Sequence, residues 1–208
     1  SKGCTELITS SYRNSFFNKS DYSKTHNTLL ASVRAGNVIG GGDWSEDRLI
    51  PDIMRALNKN EKVEIRYPNS TRPWQHVLDP LSGYLLLGSK LLQGKMEFAE
   101  AWNFGPNYEE TVMVKDILQE IKKSWPDLSF NYNEQNNQPH EAGYLKLDCS
   151  KAFIRLDWKN VWTIKDVLDK TVSWYHDFYN KRHIISENQL SDYVKTASEK
   201  GLAWAKLK

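Results

Sequence analysis

The chain has 208 residues, 39% of them hydrophobic and 26% charged, so it can bury a sizeable core. A formal net charge of +2, with lysines and arginines dispersed along the chain, argues against a nucleic-acid partner. No apolar run approaches the ~18 residues of a membrane span, and no signal peptide is recognisable. We therefore expect a cytoplasmic globular protein without a membrane partner. The two cysteines, Cys4 and Cys149, are predicted to be reduced core thiols, and the five histidines lack metal-ligand spacing.

Apolar periodicity predicts helices that alternate with strands along the chain. Helices are predicted over residues 1–17, 48–58, 79–92, 111–125 and 163–181. Strands or extended segments are predicted over residues 29–35, 63–66, 74–78, 101–106 and 144–147. Ser150 and Thr163 are expected to be helix N-caps, and the last two dozen residues are polar and carry no assigned element. This alternation predicts an α/β fold with parallel strand pairing, as a piece of a doubly wound domain interleaved with a smaller α/β unit.

The stretch 33–44 runs from a predicted buried strand into a loop that contains Gly36, Gly40, Gly41 and Gly42. A chain that leaves the carboxyl end of a strand through glycines can bring its backbone close to a ligand, although a plain turn is an open alternative. The spacing is not that of a dinucleotide-binding loop. Arg48 then precedes a predicted helix start near Pro51. This combination suits an anionic ligand above the end of a strand.

Several segments resemble the CDP-glucose 4,6-dehydratase family, a group of extended short-chain dehydrogenases/reductases. The resemblance is carried by residues 33–51 with Gly-Gly-Gly-Asp-Trp, residues 72–84 with Arg-Pro-Trp-Gln-His-Val-Leu, residues 102–106 and residues 140–151. It covers nearly the whole chain. It implies that residues 1–36 and 73–106 belong to an NAD-binding Rossmann domain. Residues 37–72 and 107–208 would then form a smaller substrate-binding domain.

The resemblance also implies a reaction. Family members dehydrate CDP-D-glucose to CDP-4-dehydro-6-deoxy-D-glucose by internal hydride transfer through bound NAD, in the deoxysugar biosynthesis that supplies O-antigen. They begin with a glycine-rich NAD loop and carry a catalytic Tyr-x-x-x-Lys pair. The lysine of that pair falls on Lys2, and the tyrosine would precede Ser1. The sequence is therefore expected to be a carboxyl-terminal portion of such an enzyme, inactive by itself.

Individual site residues follow from the family pattern. Lys2 is expected to be catalytic and to bind NAD, together with Ala35, Gly36 and Val38. Arg72, between two turns, is the best candidate to clamp the diphosphate of a nucleotide sugar, because arginine binds such groups bidentately. The other expected substrate contacts are Asn37, Arg48, Leu49, Arg66, His140, Glu141 and Tyr144. A surface or packing role is the open alternative for each of them.

In the family, the helix that carries the lysine packs against its twin in a homodimer. Such an interface would be lined here by Leu7, Ile8, Ser11, Tyr12 and Phe16, and an ordinary core face is the equal alternative. Two other functions also stay open. One is a related nucleotide-sugar epimerase or dehydratase, and the other is a non-catalytic nucleotide-sugar-binding or dimerisation module.

Overall fold

The computed structural model describes residues 2–106, 112–132 and 145–206, and within them lie seven α-helices and eight short strands. The helices are α1 (Lys2–Ser15), α2 (Leu49–Lys59), α3 (Leu78–Leu92), α4 (Val114–Ser124), α5 (Ser150–Leu156), α6 (Ile164–Lys181) and α7 (Ser186–Glu199). The strands are β1 (Ser32–Ala35), β2 (Asn37–Ile39), β3 (Val63–Ile65), β4 (Thr71–Arg72), β5 (Trp74–His76), β6 (Ala101–Phe104), β7 (Val112–Met113) and β8 (Phe130–Tyr132).

The strands pair two by two, and three of the four pairs described are parallel. Strand β1 pairs with β6, β2 with β5 and β3 with β8, all in parallel, whereas β4 and β7 are antiparallel. The two strands of each parallel pair are far apart in sequence, and helices lie between them along the chain. The pairing confirms the predicted α/β class.

Gly36 is the point at which the chain changes its pairing partner. Its N–H donates to the carbonyl of Phe104, opposite β1, at 3.3 Å, and the next N–H, of Asn37, donates to the carbonyl of Pro73, beside β5, at 2.9 Å. A Cβ on Gly36 would stand 2.6 Å from that Pro73 oxygen. A side chain does not fit here, so glycine is required by the crossing of two backbones.

Two hydrophobic clusters stabilise the described residues. The larger one joins α2, α4 and α6 around Ile53, Leu118 and Tyr175, each no more than 1% exposed. The smaller one joins α3, β6 and α5 around Trp102 and Trp158, which are fully buried. Helix α5, expected in the substrate domain with residues 107–208, thus packs on the segment assigned to the Rossmann domain. The four-segment domain division itself stays a prediction.

Helix α6 holds the triple-glycine loop in place. An added Cβ on Gly41 would lie 1.9 Å from the Trp174 ring, so this glycine exists to let α6 approach the loop. The Tyr175 hydroxyl donates to the carbonyl of Asp43 at 2.6 Å. The Trp44 ring lies among the rings of α6, with centroids 5.3–6.3 Å from those of Trp174, Tyr175, Phe178 and Tyr179. Packing, rather than approach to a ligand, explains Gly41.

Helix caps confirm one prediction and correct another. Thr163 caps α6 in a capping box, in which its hydroxyl accepts from the Asp166 N–H and the Asp166 carboxylate accepts from the Thr163 N–H. Ser150, in contrast, is the first residue of α5 and not its cap. Cys149 occupies the N-cap position, and Oδ1 of Asp148 accepts the Ser150 N–H at 2.9 Å.

Several predicted elements also differ from the structure in their bounds or their type. Strand β1 begins at Ser32 rather than at residue 29, residues 145–149 form no strand, and α7 occupies part of the polar stretch left without an element. Cys4 is exposed on α1, so the prediction of a core thiol is wrong for Cys4, whereas Cys149 is buried. No helix among the described residues has the length and apolar character needed to cross a membrane.

Candidate functional site

A cleft of about 560 Å³ opens where the ends of β2 and β3, the beginning of α2 and strand β4 meet. Its volume lies within the range typical of small-ligand sites. Eight of the residues predicted from the sequence line it: Lys2, Gly36, Asn37, Val38, Arg48, Leu49, Arg66 and Arg72. The structure thus brings together residues that are spread over seventy positions of sequence.

Four cationic side chains reach the cleft from four separate segments. Lys2 lies at the start of α1, Arg48 precedes α2, Arg66 follows β3, and Arg72 lies in β4. Arg72 is 7% exposed, and its Nη1 donates to the carbonyl of Thr71 at 2.8 Å, so burial and this bond restrict the movement of its guanidinium. Lys2, Arg48 and Arg66 are exposed. The cleft therefore combines one fixed guanidinium with three cations that can adjust.

The exposed arginines face carboxylates at long range. Nη1 of Arg48 lies 3.8 Å from Oδ2 of Asp43, and Nη2 of Arg66 lies 3.8 Å from Oδ1 of Asp47. Both separations exceed hydrogen-bond distance, and ion pairs at such exposure are worth about 1 kcal/mol or less. A ligand anion can therefore draw both guanidinium groups away from their present partners at little cost.

Asp43 is ionised in this arrangement. Burial alone would raise its pKa, but hydrogen bonds from Ser45 and the positive charges of Arg48 and Arg55 outweigh burial and hold the pKa below its ordinary value. Oδ1 of Asp43 accepts the Ser45 N–H at 3.0 Å. Its second oxygen faces Arg48 as a fixed negative charge.

One wall of the cleft is apolar. Ile50 and Trp74 are 2% and 5% exposed, and both line the cleft together with Pro51 and Val114. A cleft with cations around it and an apolar wall on one side suits a ligand that carries both phosphates and rings.

The backbone explains how Arg48 reaches the site. Asp47 adopts a left-handed conformation with φ of +57°, which turns the chain immediately before α2. Arg48 is the N-cap residue in an extended conformation, and its carbonyl accepts the Asp52 N–H at 2.9 Å. Its side chain makes no cap bond and lines the cleft.

Not every predicted residue lies in the cleft. Ala35 ends β1 and is not among the described residues that line it. His140, Glu141 and Tyr144 lie outside the described residues. Four carboxylates also line the cleft, and none of them was predicted as a site residue: Asp43, Asp47, Asp52 and Glu64. They follow no periodic pattern, and only their closeness to predicted cationic residues could have indicated them.

Within residues 2–106, 112–132 and 145–206, no three His, Cys, Asp or Glu side chains gather as metal ligands would.

Comparison with known proteins supports the resemblance found in the motifs. The chain is 46% identical over 200 residues, or 95% of its length, to CDP-glucose 4,6-dehydratase of Salmonella typhimurium. The match covers 55% of that relative, so the chain spans about half the relative's length. No protein-family model matches the chain.

Solved structures show the same fold at low identity. A UDP-glucuronic acid 4-epimerase of Bacillus cereus, solved with UDP-glucuronic acid and NAD, matches with a TM-score of 0.67 and 18% identity, over 84% of this chain and 50% of that one. A dTDP-glucose 4,6-dehydratase of Bacillus anthracis, solved with NAD, matches with a TM-score of 0.62 and 18% identity, over 85% of this chain and 50% of that one. At this identity the likeness shows the fold alone. Taken together, the comparisons confirm that the chain is related over nearly its whole length to CDP-glucose 4,6-dehydratase and has the fold of part of a nucleotide-sugar epimerase or dehydratase.

Proposed function

We propose that this chain supplies the substrate-binding part of an NAD-dependent CDP-glucose 4,6-dehydratase. The observation that carries the proposal is the convergence of Arg48, Arg66 and Arg72 on one cleft from three separate segments. The 46% identity to a CDP-glucose 4,6-dehydratase supports this choice of substrate. The cytoplasmic location expected from the sequence stays a prediction.

The arginines match the charge of a nucleoside diphosphate sugar. A guanidinium presents a planar set of donors that binds phosphate oxygens bidentately, and the burial of Arg72 and its bond to Thr71 restrict its movement before a ligand enters. Arg48 and Arg66 would exchange their carboxylate partners for phosphate oxygens when the ligand enters. The Asn37 amide, at the beginning of β2 and on the cleft wall, can bond to hydroxyls of the hexose.

Three of the four residues that the family pattern assigns to NAD line the cleft. They are Lys2, Gly36 and Val38, and the fourth, Ala35, directly precedes Gly36 at the end of β1. The Lys2 ammonium can bond to a ribose hydroxyl and can lower the pKa of a neighbouring phenol by favouring its ionised form. NAD, when bound, supplies a hydride acceptor and donor for the sugar carbon. The chain's own contribution is to hold the substrate and to place this ammonium beside it.

The proposed enzyme is a homodimer that associates through α1. Helix α1 buries none of its residues within the described chain, and Leu7, Ile8, Tyr12 and Phe16 are 52–74% exposed. Within the described residues this apolar helix face stays exposed, which supports a second copy as the surface that covers it.

Calorimetric titration of the purified chain tests the proposed function. We expect CDP and CDP-glucose to bind, and UDP and dTDP to bind more weakly. Tighter binding of UDP or dTDP would favour a related dehydratase or epimerase. If none of these ligands binds, the proposal is contradicted and only a structural role is left for the chain.

A further inference from the structure

Arg55 is bonded to the loop that carries the cationic edge of the cleft. The loop, residues 43–48, joins the triple glycine to α2, and Asp43, Asp47 and Arg48 of this loop line the cleft. From two turns inside α2, Arg55 donates through Nη1 to the carbonyl of Trp44 at 2.9 Å and through Nη2 to the carbonyl of Ser45 at 3.1 Å. Its guanidinium is also paired with Asp52. Arg55 is not one of the described residues that line the cleft.

The geometry of these bonds requires arginine. Two adjacent carbonyls accept from two nitrogens of one planar group, a fork that the single nitrogen of an ammonium does not present. The Arg55 side chain is only 29% exposed, so its bonds compete less with water than those of a surface arginine. Lysine would keep the charge and lose the planar fork of two nitrogens.

The loop needs this attachment because parts of it are strained or exposed. Asp47 holds a left-handed φ of +57°, a conformation that costs a residue with a side chain of order 1 kcal/mol. The Tyr175 hydroxyl fixes the loop at Asp43, and the Asp52 N–H fixes it at Arg48. Trp44 and Ser45 lie between these two points, and Arg55 bonds to both of their carbonyls.

We propose that Arg55 is a positioning residue, which pre-organises Arg48 for the diphosphate of the ligand by fixing residues 43–48. The inference rests on the proposed function, because it takes Arg48 to be a phosphate contact. A loop that is already ordered loses less conformational entropy on binding, so the contact of Arg48 contributes more to affinity. Arg55 would thus affect binding without touching the ligand.

The test compares Arg55→Lys with the wild-type chain by titration with CDP. We expect the dissociation constant to rise about 5-fold or more. The matched control is Arg155→Lys, because Arg155 makes the same kind of two-point attachment, to Glu100 and to the carbonyl of Glu97, on α5. The control is expected to bind CDP as the wild type does. Should Arg55→Lys fail to fold, judged by circular dichroism, Arg55→Gln is the second variant.

A double-mutant cycle separates positioning from general destabilisation. If Arg55 acts through Arg48, the variant Arg48→Gln/Arg55→Lys binds CDP no more weakly than Arg48→Gln alone. The inference is overturned if Arg55→Lys binds as the wild type does, or if it weakens binding by the same factor in both backgrounds. A wild-type chain that binds no CDP would instead refute the proposed function, and the inference with it. An Arg48→Gln variant that binds CDP normally would refute the role of Arg48.

Discussion

His76 is a buried imidazole that the fold keeps neutral. It is 2% exposed, its ring meets that of Trp162 at 4.7 Å, and its Nδ1 accepts the Leu78 N–H at 3.3 Å. Burial, helped by the positive charge of Lys170, lowers its pKa from 6.5 to about 4. The Arg-Pro-Trp-Gln-His-Val-Leu motif thus contains a residue whose protonation opposes folding.

Stability is therefore expected to fall as the pH is lowered through this range. Below pH 6.5 the unfolded chain takes up a proton at His76 that the folded chain accepts only near pH 4. This one group should remove about 3 kcal/mol of unfolding free energy between those limits, and nothing further at lower pH. Urea unfolding of the wild type and of His76→Phe at several pH values measures the effect.

His76→Phe keeps a ring against Trp162 and removes the titrating group, so its stability should depend less on pH over that range. Equal pH dependence in the wild type and in the variant would show that the neutral state of His76 is not the cause. The carboxylates, which also titrate in this range, are the same in both proteins, so their effects cancel in the comparison.

At the scale of elements, apolar periodicity predicted α2 and α4 to within a few residues, because each buries a clear apolar stripe such as Val114, Ile117, Leu118 and Ile121. Helix α7 escaped prediction because the residues it buries, Gln189, Tyr193 and Ala197, form a weakly apolar stripe. Glycine in the loop before α2 was predictable as a special position. The reason for the glycine at position 41 was not predictable, because Gly41 makes room for Trp174, which lies more than one hundred and thirty positions later.

The exposed face of α1 yields the prediction at this scale. The wild-type protein should sediment as a dimer, and Leu7→Glu should sediment as a monomer, because a carboxylate would have to be buried between the two helices. Leu7 is 74% exposed within the described chain, so the change leaves the chain's own core intact.

Leu92→Glu on α3 is the matched control, since Leu92 is 92% exposed and lies on a different helix. It should remain dimeric. A monomeric wild type, or a Leu7→Glu variant that still dimerises, would remove α1 from the proposed interface.

At the scale of the whole molecule, the site is a cleft lined by residues from several separate segments. The residues that gather there were predictable in part, because the carboxyl ends of parallel strands meet at one edge and the family motifs name Asn37, Arg48 and Arg72. The carboxylates opposite Arg48 and Arg66, and the attachment of the loop by Arg55, were not predictable. They depend on the conformation of the loop 43–48 and on the directions of polar side chains, which no periodic pattern encodes.

The central claim is that a fixed guanidinium in this cleft binds a diphosphate, and Arg72→Gln tests it most directly. Titration with CDP should show a dissociation constant about 10- to 100-fold higher than that of the wild type, the expected loss for one charge-assisted hydrogen-bonding group. Arg155→Gln, which removes an arginine on α5, should bind CDP as the wild type does. An Arg72→Gln variant that folds and binds CDP with unchanged affinity would contradict the claim.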